Sequence, residues 1–70
     1  MPDLEKIGED LNTANGKASA ALISYNTWMA GKAGTVTLTA GQKNTLKSEF
    51  TADITAVWDA AQRVLDELAA

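Results

Sequence analysis

The sequence predicts an all-α fold, an antiparallel two-helix hairpin with a coiled-coil-like seam and a short extended segment at the bend. Two long segments each repeat apolar residues at intervals of three and four, in strict alternation in the first. Between them lies "GKAGTVTLTAGQ", residues 31–42, rich in Gly and Thr, where that period fails. The two stripes also complement one another when the chain is folded back at its middle.

The first helix is expected over about residues 3–30. Leu4, Ile7, Leu11, Ala14, Ala18, Ala21, Tyr25 and Trp28 mark its seam, Asp3 is suited to cap its start, and Gly31 to stop it. "NTANG", residues 12–16, has the composition of a turn. A break there would shift the phase, and Leu4, Leu11, Ala18 and Tyr25 keep their spacing across it, so one continuous helix is the reading. "GKAG", residues 31–34, reads as loop, and "TVTLT", residues 35–39, alternates Thr with Val36 and Leu38 as an extended segment does. Thr39 and Gln42 have the spacing of a capping box. The second helix follows over about residues 40–69, with Leu46, Phe50, Ile54, Val57, Ala61, Val64 and Leu68 on one stripe. The chain is one domain, residues 1–70.

Folding back sets Ala21 against Phe50, Ala18 against Ile54, Ala14 against Val57, Leu11 against Ala61 and Leu4 against Leu68, so small meets large at most levels. Tyr25 and Trp28 are expected to close the bend end over Leu46. Leu22, Ile23, Met29, Trp58 and Leu65 do not fit the seam. A chain this short buries little apolar surface by itself, and spare residues of this size predict association with other copies or with another protein. The expected partner-binding residues are these five together with Lys32 and Lys43.

Charge is segregated. Residues 17–48 hold Lys17, Lys32, Lys43 and Lys47 and no acid, while both ends of the chain are acidic and the net charge is -3. The hairpin becomes a rod with a basic bend and an acidic open end, a polarity that orients encounters more than it adds affinity.

The chemistry-bearing residue types are largely missing. With no His and no Cys, the commonest general base, zinc ligands, thiolates and disulfides are gone. Gly16-Lys17 is followed by Ala18, so no phosphate-binding loop is formed. Glu9-Asp10 and Asp66-Glu67 are sequence neighbours, which diverge by about 100° on a helix, and read as solvated carboxylates. No enzyme, cofactor or metal is expected. Trp28 or Tyr25 beside the lysines could stack on bases, but the acidic balance argues against nucleic acid as partner. The longest uncharged run, Ala18 to Gly31, contains Ser, Asn, Thr and Tyr and is too short and polar to cross a membrane. The acidic start does not fit a secretory signal.

Two hairpin families set useful contrasts. The WXG-type secreted proteins place Trp-x-Gly at the bend, where this chain has Trp28-Met29-Ala30-Gly31, one residue longer. Type III needle subunits carry a Pro-rich bend that is absent here. "TVTLTAGQKNTLKSEF", residues 35–50, with the Ala/Thr/Asn-rich, His-free and Cys-free composition, resembles in texture the small helical structural proteins of tailed bacteriophages. That resemblance implies many copies on a capsid, neck or tail surface and no catalysis. The sequence thus predicts a structural or assembly component, a homo-oligomer or part of a larger assembly. An inhibitor or adaptor docking one target through the basic tip is the alternative.

Overall fold

The structure is a computed structural model that describes all residues 1–70. It contains two helices, α1 (Leu4–Ala33) and α2 (Ala40–Ala69), packed against each other as an antiparallel hairpin. The Cα rod measures 51 × 16 × 12 Å. α1 runs without interruption through Asn15 and Gly16.

Each helix end is closed by its own local chemistry. The Asp3 carboxylate accepts from the Glu5 and Lys6 amides at 3.1 and 3.2 Å, supplying partners to N–H groups that have none inside the helix. α1 extends past the expected stop at Gly31 and ends at Gly34, whose φ of 84° and ψ of 7° are left-handed. Gly34 donates to the Gly31 carbonyl, and the Thr35 amide and hydroxyl both reach the Ala30 carbonyl. The chain bends at Thr35–Val36 and reaches Thr39, where the capping box forms: Gln42 N–H donates to Thr39 Oγ1 at 3.1 Å, and Thr39 N–H to Gln42 Oε1 at 2.8 Å.

Gly31 has a different use from the one its composition suggested. A Cβ built there would lie 2.6 Å from Leu38 Cδ1, so the bare glycine surface is the seat of Leu38. Leu38, half-buried, is the plug of the bend, while Val36 points out. Trp28 flanks the plug, and Tyr25 is 47% exposed.

The seam differs from the expected one by a rotation. The vertical register is close to expectation, since Arg63 pairs with Asp10 and Lys6 with Glu67. The columns that face inward differ. On α1 the Ile7 column (Ile7, Ala14, Ala21) faces α2 as expected, joined by Asp10, Ser24 and Gly31 in place of Leu4, Leu11, Ala18 and Tyr25. On α2 Leu46, Phe50, Val57 and Val64 are joined by Asp53, Ala60 and Glu67 in place of Ile54, Ala61 and Leu68. Both helices have turned by roughly 50° about their axes. Ala18 and Ile54, expected to face each other across the seam, are both exposed.

Small side chains explain the choice. Ala60 is 0% exposed, and Ala21 and Ser24 are also buried. A seam lined by Ala, Ser and Gly lets two helices approach closely, so many weak dispersion contacts form between backbone and short side chains. The larger α2 residues Leu46, Phe50, Val57 and Val64 face a line on α1 made mostly of small side chains. Two of the three carboxylates admitted in exchange are paired across the seam: Arg63 Nε donates to Asp10 Oδ1 at 2.9 Å, Lys6 Nζ lies 3.7 Å from Glu67 Oε2, and Asp3 N–H donates to Glu67 Oε1 at 2.8 Å, while Asp10 Oδ2 stays buried without a partner and half-buried Asp53 has no ion pair. Asp10 and Glu67 are therefore not the solvated acids their sequence neighbours Glu9 and Asp66 are; in each adjacent pair one turns in and one out.

Candidate functional site

The rotation decides what the surface looks like. In an antiparallel pair, turning each helix in the same sense about its own axis carries side chains to the same side of the pair, because the second axis is reversed. The displaced columns therefore share one flank. α1 places there Leu4, Leu11, Ala18, Leu22, Tyr25 and Met29; α2 places there Ile54, Trp58, Ala61, Leu65 and Leu68. All are exposed, and Trp58 is 64% exposed. The only charges in these columns are Lys32 and Lys47 at the bend end. Even Thr51 on this flank turns its hydroxyl to the Lys47 carbonyl at 2.7 Å, which leaves its methyl outward.

The opposite flank carries Lys6, Glu9, Glu49, Asp59, Arg63 and Asp66, with Ile23 its one exposed large apolar residue. The hairpin thus has an apolar side and a charged side, with only four of 70 residues buried between its helices and no large side chain fully enclosed. Contiguous apolar surface sets this flank apart from a surface with singly scattered exposed leucines.

The structure sorts the residues predicted to bind partners. Leu22, Met29, Trp58 and Leu65 gather on the apolar flank, and Ile23 stands apart on the charged one. Lys32 and Lys43 come together at the bend, where with Trp28, Gly31 and Leu38 they line a cleft of about 230 Å³. On the other side of Leu38 a more open cleft of about 550 Å³ runs between Thr27, Thr45, Leu46 and Glu49. Lys17 lies midway along α1 and not at the tip. Leu4, Leu11, Tyr25, Ile54 and Leu68, taken from the sequence as seam, belong to the flank instead. The signal that separates the two assignments is the small-residue line Ala21, Ser24, Gly31 and Ala60, which marks where the helices touch most closely.

No helix is long and apolar enough to cross a membrane, and no three carboxylates gather closely enough to hold a metal ion. Comparison with protein-family models, with curated proteins and with solved structures finds no match to this chain.

Proposed function

We propose that the chain is a non-enzymatic structural or assembly protein that packs on other protein chains through its apolar flank. The observation that carries this reading is the gathering of a second set of large apolar residues, Leu4, Leu11, Leu22, Ile54, Trp58, Leu65 and Leu68, on one flank outside the seam. A chain folding for its own sake would place Leu11, Ile54 and Leu68 between its helices; this one places Asp10, Ala60 and Glu67 there and leaves the large residues outward. Covering a Trp or Leu side chain releases about 1.5–3 kcal/mol, and a hairpin with no disulfide to staple it gains its missing core from whatever covers the flank. The Thr-rich entry to a Thr-x-x-Gln-capped helix and the composition support a component of a tailed-phage particle, on a capsid, neck or tail surface.

The test is to tag the chain in its natural host and recover it under native conditions, alongside Trp58→Asp. The wild type should emerge in fixed stoichiometry within a larger protein assembly, and Trp58→Asp should lose it. Recovery of both as the same lone hairpin overturns the reading. The second reading, an adaptor docking an acidic target by its tip, rests on Lys32, Lys43 and Trp28 lining one cleft. It predicts that the double substitution Lys32→Glu and Lys43→Glu abolishes recovery while Trp58→Asp does not.

A further inference from the structure

We infer that the occupant of the apolar flank is a second copy of this chain, laid antiparallel so that the bend of each hairpin covers the open end of the other and the pair closes into a four-helix bundle. The inference rests on the proposed docking role of that flank and names its partner.

Three observations select a second copy. The first is charge. The bend half of the rod carries Lys32, Lys43 and Lys47 against Glu49 and Asp53, while the open half carries seven carboxylates against Lys6, Lys17 and Arg63. Reversed copies set the positive half of one beside the negative half of the other, whereas parallel copies set like beside like. The second is shape. On α1 the Leu4 column reads Leu4, Leu11, Ala18, Tyr25, Lys32, with its smallest member at the centre. A twofold axis through Ala18 crosses the two α1 helices at alanine, where they approach most closely. It sets Leu11 against the partner's Tyr25, and it lays the Lys32 stem over the partner's Leu4 with its ammonium group toward the partner's Glu5. The third is size. The rod's Cα extents of 51 × 16 Å outline a face of roughly 800 Å², the scale of what a standard stable interface buries on each side.

The test uses the full chain and exploits its lack of cysteine. Sedimentation equilibrium over rising concentration should show a species of twice 7.4 kDa, with helicity rising as it forms. Leu22→Asp should weaken dimerisation at least about 30-fold, the loss of a buried anchor. Ile23→Asp, one residue on and on the charged flank, should leave dimerisation within a few-fold of wild type. Orientation is read by mixing the single variants Leu4→Cys and Lys32→Cys under mild oxidation. The mixed disulfide between positions 4 and 32 is expected; a dominant 32–32 product overturns the antiparallel arrangement. A chain that stays monomeric overturns the self-pairing. In that case the helicity decides the broader reading. A poorly helical monomer still needs another protein on its flank, while a fully helical monomer indifferent to Trp58→Asp removes the docking role as well.

Discussion

The two flanks of this hairpin are built from the same two helices and the same number of turns, yet they obey opposite rules. On the charged flank, Lys6 and Arg63 reach across the seam to hold Glu67 and Asp10, and Asp10 Oδ2 is the one buried side-chain oxygen left without a partner. On the apolar flank nothing reaches across, and Leu11, Tyr25, Ile54 and Trp58 stand outward side by side. A polar flank is complete when its hydrogen bonds and charges are satisfied in water. An apolar flank is complete only when something removes it from water. The difference teaches that many of the large apolar residues lie outside the seam between the two helices, on the flank where the proposed docking would cover them.

The sharpest break of the comparison is the adjacent pair Leu22 and Ile23, which are 57% and 68% exposed and chemically alike. Exposure alone predicts equal effects. The flanks predict that Leu22→Asp costs the assembled state about 2 kcal/mol or more, and that Ile23→Asp stays within about 0.5 kcal/mol. Chemical denaturation followed by circular dichroism, at a concentration where the chain is assembled, separates the two. Equal losses would erase the distinction between the flanks.

The bend tests how the two flanks are held apart, because Leu38 stands between the clefts on either side. Replacing a mid-helix Gly by Ala ordinarily gains about 1 kcal/mol. At Gly31 the new methyl would meet Leu38 Cδ1 at 2.6 Å and Cγ at 3.0 Å, and overpacking of that kind costs about 1–3 kcal/mol. Gly31→Ala should therefore lower the thermal midpoint, and pairing it with Leu38→Ala should recover part of the loss. Next in size is Thr39→Ala, which removes the acceptor of the Gln42 amide and should cost about 1 kcal/mol. Because the cap lies at the joint and on neither flank, its loss should lower the midpoint without changing the Leu22–Ile23 contrast.

How much of this was legible in the sequence follows from what each feature depends on. Helix existence, the Asp3 cap and the Thr39–Gln42 box depend on neighbours a few residues away, and all three are present. The register across the hairpin was legible because the loop is short and fixes which levels meet. The rotation was not. Leu4, Leu11, Ala18 and Tyr25 form as regular a column as Asp10, Ser24 and Gly31, and hydrophobicity alone favours the first for the seam. A hydrophobic period marks a column that gains from burial, and the sequence does not say whether the chain itself supplies it. The inward choice was decided by side-chain size and by the cross-seam partners Lys6 and Arg63, which are properties of two helices together. The stop at Gly31 was misplaced for the same reason: its fitness for a left-handed cap is local, while its role as the seat of Leu38 is not.

The smallest expected effect is the finest probe of the flanks. Gly8 and Gly16 both lie inside α1, and a Cβ at either meets nothing within 4 Å. Each carries the same helix penalty, so Gly8→Ala and Gly16→Ala should each stabilise the helix by about 0.5–1 kcal/mol, a rise of roughly 4–8 °C per kcal/mol for a chain of this size. Their columns differ: Gly8 lies among Leu4, Leu11 and Leu65 on the apolar flank, and Gly16 stands with Glu9 and Ile23 on the charged one. Gly16→Ala should raise the midpoint and leave the concentration dependence of assembly unchanged. Gly8→Ala adds a methyl to the surface proposed to be covered, opposite the partner's Met29 in the proposed antiparallel pair, and a methionine is the side chain best able to adjust to it. It should raise the midpoint and also tighten assembly a few-fold. If the two alanines shift assembly equally, the flank bearing Gly8 is not the one that other chains cover.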